Sequence, residues 1–209
     1  MRVYYFLNKR YGLENLAKRR LKIAEIMSLN DPFELLGISL SDPALRRAVN
    51  ETKAALSKNR GIICFSRNWR NPVQWAHYAD KHKGICLGFD VLDSYLVKVD
   101  YVRNRLTPKK NIDEQFMLKL LSTKFSHWRY EQEYRVFVSL EDKVDDCYFK
   151  EFSSDMLLKQ VIVGTMSDIS RSDIDNALGR LKSDVEVFKA RPAFKTFRIV
   201  KQRKKRLWA

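Results

Sequence analysis

Residues 61–89 read GIICFSRNWRNPVQWAHYADKHKGICLGF, and the fold class turns on how this stretch divides. Gly61 to Ser66 and Gly84 to Phe89 are short apolar runs of strand length. Between them, Pro72 to Lys81 has helical spacing, with Trp75, Tyr78 and Ala79 on one face three and four residues apart. A buried strand, a polar loop, a short helix and another buried strand therefore follow one another.

Working outward, strands often come consecutively. Val3 to Leu7 is a β-branched and aromatic run predicting a first strand. Leu13, Leu16 and Ala17 give Gly12 to Arg20 the face of a short amphipathic helix, and Leu21 to Met27 reads as extended. Asn30-Asp31-Pro32 is a turn signal, and Pro43 suits the first position of a helix running to Asn59. Downstream, Leu96 to Val102 reads as a strand, Asp113 to Phe125 as a helix, and Tyr134 to Leu140 as an alternating strand. Lys159 to Val163, Val185 to Ala190 and Thr196 to Val200 are further strands, and Ser170 with Asp173 resembles a capping box opening a helix through Leu181. The expected architecture is α+β: mixed or antiparallel sheets of about eight strands with four or five helices. No repeat or Gly/Ser/Pro-rich linker interrupts it, so residues 1–201 read as one domain and 202–209 as a basic C-terminal tail.

With 209 residues and 45% hydrophobic content the chain can bury a sizeable core. No apolar run reaches membrane-spanning length and no signal peptide is evident, so the expected location is cytoplasmic. Three cysteines, Cys64, Cys86 and Cys147, in no paired spacing read as reduced thiols. The formal charge of +15 points to polyanionic partners, nucleic acid among them. After Glu186 there is no acid, and Lys201, Arg203, Lys204, Lys205 and Arg206 form a run that serves either as a solvated surface or as a nucleic-acid contact.

Phosphate-binding glycine loops, nucleophile elbows and zinc-helix motifs are absent from the sequence. His77, His82 and Cys86 lack a fourth ligand at a recognised spacing, so no metal site is expected. Trp75 and Tyr78 can wall a pocket for a planar ring or simply fill the core; Arg67, Arg70 and Lys83 beside them can meet phosphates. Glu131 and Glu133 lie just before or inside a strand, on one side of it. Such a pair in one crevice either raises the pKa of one carboxyl or demands a cationic partner, which Arg129 or Arg135 can supply in a purely structural ladder.

The order of motifs carries a resemblance. Asn30-Asp31-Pro32-Phe33-Glu34, Ile63 to Ser66, Trp75 to Phe89, Lys124 and Trp128 to Arg135 resemble a widespread prokaryotic domain-of-unknown-function family, number twenty-nine seventy-one. That family opens on an aromatic-basic-aromatic strand, whereas this chain has Val3-Tyr4-Tyr5-Phe6. More distantly, the arrangement resembles ADP-ribosyltransferases. That resemblance implies NAD as substrate: Tyr4 and Tyr5 anchor it, Ser66, Trp75 and Tyr78 cradle nicotinamide, and Arg67 pairs with pyrophosphate. Glu133, with Glu131, would be the catalytic carboxylate. The expected function is thus NAD-dependent transfer to nucleic acid or protein, in a toxin or phage-defence setting. The alternatives are a non-catalytic nucleic-acid-binding module, or a metal-dependent nuclease in which Asp31, Glu34 or Asp80 would complete a site around Glu131 and Glu133.

Overall fold

The computed structural model describes residues 1–34, 36–108 and 114–208. Along the chain come β1 (Arg2–Leu7), α1 (Lys9–Lys18), β2 (Arg20–Glu25), α2 (Pro43–Asn59), β3 (Arg60–Ser66), α3 (Pro72–Tyr78) and β4 (Ile85–Val91). Then follow β5 (Val97–Lys98), β6 (Asp100–Val102), α4 (Glu114–Leu121), β7 (Thr123–Phe125), β8 (Glu133–Ser139) and β9 (Tyr148–Glu151). Last are β10 (Met156–Val163), α5 (Arg171–Leu178), β11 (Glu186–Pro192) and β12 (Ile199–Lys201). The fold is α+β with mixed strand pairing, as expected.

The chain divides into two compact units. The first comprises residues 1–21, 65–93 and 150–209. Its sheet runs β12-β11-β10-β4-β1, and the Ser66 end of β3 pairs with β1. Only β10 and β11 are parallel neighbours here; β1, β4, β10 and β12 pair antiparallel. Register puts Phe6, Cys86, Ile162 and Phe188 in one cross-strand row. That row forms a core with Trp75, Trp69 and Ala79 beneath α3. A parallel row of Tyr4, Gly88, Gln160 and Glu186 lies two residues along on the same face.

The second unit comprises residues 22–64 and 94–149. In it β3 pairs with β2 and β8, β8 with β5, and β6 with β7. Ile38, Val49, Phe116 and Leu120 form one buried cluster between α2 and α4, and Ile26 and Ile62 form another with Leu56, Leu121 and Phe137.

Several boundaries differ from the sequence expectation for local reasons. Helix α1 starts at Lys9 because Asn8 caps it, accepting the Tyr11 N–H at 2.9 Å. The segment read as one strand from Leu96 to Val102 is two short strands, β5 and β6, with different partners. The helix expected to reach Phe125 stops at Leu121; the hydroxyls of Ser122 and Thr123 bond back to Leu118 and Lys119 carbonyls, and β-branched Thr123 opens β7. Its expected first residue, Asp113, lies outside the described residues. Helix α3 ends at Tyr78 rather than Lys81, because Asp80, Lys81 and His82 are all left-handed. The strand expected from Thr196 begins only at Ile199, and β9 was not anticipated. The Ser170–Asp173 capping box is present.

The C-terminal run is anchored. Trp208 is buried and its indole N–H donates to the Ile169 carbonyl at 2.8 Å, with Arg171 over its ring. Lys201 pairs with Glu186, while Arg203, Lys204 and Arg206 are exposed; the side chain of Lys205 lies outside the described residues.

Gly84 sits where β4 approaches the end of β1: a Cβ there would lie 1.9 Å from the Leu7 carbonyl oxygen. Gly84→Ala is therefore expected to destabilise the protein by about 1–3 kcal/mol or more, through forced backbone displacement. Thermal denaturation reads this directly, and an unchanged midpoint would contradict the packing described.

Candidate functional site

Five charged side chains are buried together in the second unit. Lys124 comes from β7, Glu131 from the 3-10 turn Ser126–Glu131, Glu133 and Arg135 from β8, and Glu34 from the turn after Pro32. Arg135 is 0% exposed and Glu34 only 2%. Charges so placed must be neutralised by one another. The Lys124 ammonium lies 2.7 Å from Glu131, 3.1 Å from Glu133 and 3.3 Å from Glu34. Arg135 donates from Nε to Glu133 at 2.8 Å and from Nη2 to both oxygens of Glu34 at 2.7 and 2.9 Å; its Nη1 donates to the Leu121 carbonyl at 2.8 Å.

Local sequence explains the convergence. Sequence spacing predicts that Glu131 and Glu133 share a side by strand alternation; instead Glu131 ends a 3-10 turn and only Glu133 is on the strand. Gln132 between them is left-handed (φ 46°), and this reversal turns both carboxylates toward Lys124. Asp31, itself buried, accepts the Phe33 N–H at 2.9 Å and shapes the turn from which Glu34 contributes its carboxylate. The Tyr101 hydroxyl accepts the Glu133 backbone N–H at 2.8 Å. Of the two arginines expected as partners, Arg135 fills that role, whereas Arg129 reaches the Tyr101 carbonyl.

The electrostatics follow from this geometry. Burial alone would raise the Glu133 carboxyl, but the charges of Arg135 and Lys124 outweigh it and hold the pKa at about 2. Burial likewise works against the charged form of Lys124, yet Glu133, Glu131 and Glu34 raise its pKa overall. The Cys64 thiol, pushed well up by burial and then by Glu133, donates a hydrogen bond to that carboxylate. Glu133 is thus a fixed anion at any physiological pH.

Lys124 also borders a cavity of about 240 Å³. Phe33 and Phe125, both substantially exposed, stand at this cavity with Arg103 and Arg105. The Arg105 guanidinium lies 5.4 Å from the centre of the Phe33 ring, and Phe125 leans on His127 at 4.4 Å. Sequence reasoning did not single out these aromatics and arginines as a group. Phe33 and Phe125 are 92 positions apart in the chain, and no periodic pattern links them.

The remaining candidates belong to the first unit. Tyr4 lies directly opposite Ser66 on one side and Gly88 on the other. Tyr5 points to the other face and packs edge-on against Phe65 at 5.8 Å. The Ser66 hydroxyl fastens its own loop, accepting from the Asn68 N–H at 3.0 Å and the Gln74 amide at 2.9 Å. Arg67 donates to the Arg2 carbonyl. Trp75 is fully buried, with its indole N–H on the Trp69 carbonyl at 2.6 Å and Phe6 edge-on at 5.3 Å. Tyr78 is half-buried beside His77, at a shallow depression with Asn8, Lys9 and Arg10. So of the aromatic pair on α3, Trp75 is core and Tyr78 reaches the surface. Cys86 is also core. Of the acids considered for a metal centre, Glu34 joins Glu131 and Glu133 around Lys124, Asp31 serves the Phe33 turn, and Asp80 is exposed in the first unit. Among the described residues no group of three or more His, Cys, Asp or Glu side chains is arranged to hold a metal ion.

Comparison with known proteins gives a family match. Residues 74–136 match the model of a family described as protein of unknown function, DUF2971, in agreement with the resemblance carried by the motifs. The matched stretch includes Lys124, Glu131, Glu133 and Arg135. No curated protein and no solved structure matches the chain.

Removing one member of a buried ion cluster leaves the others uncompensated, at a cost of about 3–5 kcal/mol. Glu133→Ala and Lys124→Met are each expected to lose stability on that scale in urea unfolding. The wild type adds a pH signature. A carboxyl lowered on folding stabilises above its ordinary pKa of 4.5 and loses that contribution as pH falls toward about 2. Stability of the wild type should therefore fall through this window, and the Glu133→Ala variant should show a shallower fall. Equal slopes would contradict the assignment.

Proposed function

We propose that the chain binds a nucleotide at the cavity beside Lys124, and that it acts on NAD in the manner of ADP-ribosyltransferases. The observation that carries this reading is a pair of carboxylates held on Lys124, which itself borders a cavity with aromatic and cationic lining. Phe33 and Phe125 offer faces on which a planar base or nicotinamide stacks. Arg103 and Arg105 supply guanidinium forks suited to a pyrophosphate.

In the reaction, the bond between nicotinamide and the ribose anomeric carbon breaks and nicotinamide departs. A nucleophilic acceptor bonds to that carbon and gives up its proton. The intervening state has oxocarbenium character, so a fixed carboxylate stabilises it electrostatically and accepts from a ribose hydroxyl. Glu133 has both oxygens engaged by Arg135 and Lys124, which suits a positioning role. Glu131, which holds Lys124 at 2.7 Å next to the cavity, is the residue proposed to meet the sugar. Stacking falls to Phe33 and Phe125 because Trp75 presents no exposed surface.

Calorimetry with NAD and nicotinamide release in the presence of cell extract test the proposal. NAD should bind, and Phe33→Ala with Arg105→Ala should weaken it at least about tenfold. Glu131→Gln should lower release by about 10²–10³-fold, the range for loss of a transition-state stabiliser. No heat with NAD and no released nicotinamide from folded wild type would overturn the reading.

A further inference from the structure

The hairpin joining β11 to β12 carries the most exposed aromatic rings of the described residues. Phe194 is 90% and Phe197 99% exposed. A loop free to bury neither ring gains nothing for folding from having them, so such a pair marks a surface meant for a partner. The hairpin is ordered: Pro192 pairs with Ile199, the Ala193 N–H donates to the Arg198 carbonyl at 2.8 Å, and the Ile199 N–H to the Arg70 carbonyl at 2.9 Å. Its rings are held out from a fixed base.

Cations alternate with the rings. Lys195 follows Phe194 and Arg198 follows Phe197, both exposed, and the Arg191 guanidinium lies 4.3 Å from the centre of the Phe194 ring. No acid occurs in the sequence after Glu186, so nothing in this segment offsets them. Beside the hairpin runs a groove of about 600 Å³ whose other wall includes His82, Thr165 and Met166. His82 ends three successive left-handed residues, at φ 45°, 53° and 69°, a run that L-residues adopt only under constraint. The constraint is visible: the His82 carbonyl accepts the Met166 N–H at 3.1 Å, and Gly164 lets the two segments touch, since a Cβ there would lie 2.2 Å from that oxygen. The His82 ring stacks on Trp75, and its Nδ1 has no hydrogen-bond partner among the described residues.

We propose that this hairpin and groove bind single-stranded nucleic acid. Phe194 and Phe197 would stack on successive bases, and Arg191, Lys195 and Arg198 would track the phosphates. A duplex does not suit the site, because its bases are already stacked and show no faces to the rings. An anionic membrane suits it less well. Lys195 sits between the two rings at the tip, so inserting both would carry its ammonium into the apolar layer. The binding site lies wholly in the first unit and does not depend on the nucleotide reading of the second.

The test is fluorescence anisotropy of the full chain with a labelled oligouridine of about twelve nucleotides, at about 50 and 200 mM salt. Wild type should bind. Phe194→Ala with Phe197→Ala should weaken binding about tenfold or more for each ring, with the melting temperature and NAD titration unchanged because both rings are exposed. Lys195→Ala with Arg198→Ala should reduce the slope of log affinity against log salt by about 1.4. Absence of binding by wild type would overturn the proposal, as would equal affinity of the double phenylalanine variant. Phenylalanine-dependent binding to phosphatidylserine vesicles without any to the oligonucleotide would overturn it in favour of a membrane surface.

Discussion

The second unit depends on a buried ion cluster whose members are screened from water and neutralise one another. Lys124 and Arg135 are each shared between carboxylates, and Glu133 is shared between both cations. Desolvation of five charged groups is costly, and only close, well-aligned pairing offsets it. The pairing is geometric as well as energetic. It fixes β7 against β8, holds the turn after Pro32 through Glu34, and secures the end of α4 through the Leu121 carbonyl. The same cluster holds the Glu133 carboxylate ionised, through Arg135 and Lys124.

That dual role changes how the two glutamates read. A carboxylate saturated by a guanidinium and an ammonium serves best as a rigid reference point for its neighbours. The adjacent Glu131, delivered from a 3-10 turn rather than a strand, is the member proposed to meet a ligand. Lys124 joins the cluster to the cavity, with its ammonium 4.9 Å from the centre of the Trp128 ring. Ordering of the cluster therefore also orders one wall of the proposed binding site.

Much of the fold was legible because its signals are local. The apolar runs at Gly61–Ser66 and Gly84–Phe89, the Pro43 helix start and the Ser170–Asp173 cap all act over a few residues. What was not legible depends on partners distant in sequence. The split of Leu96–Val102 into β5 and β6 arises because one half pairs with β8 and the other with β7. Likewise, Lys124 looks like the last turn of a helix in sequence, and only the hydroxyls of Ser122 and Thr123 turning the chain make it a strand residue facing acids. Glu131 and Glu133 were visible as a pair, and Arg135 as a partner. The spacing of two suggested strand alternation, whereas a left-handed Gln132 produces the same convergence. The aromatic pair Trp75 and Tyr78 divides between core and surface, a difference that spacing alone does not encode. Exposed Phe197 reads in sequence as a member of the strand from Thr196, and Phe194 lies outside any element; their exposure depends on where the hairpin closes.

Carboxylate NMR of selectively ¹³C-labelled glutamate, followed with pH in the folded protein, measures the central interaction most directly. The cluster described here predicts that the Glu133 carbon signal still reports an ionised group at about pH 3.5, on the way to a midpoint near 2. A midpoint at the ordinary value of 4.5 would contradict the account, because Glu133 would then not be held between Lys124 and Arg135.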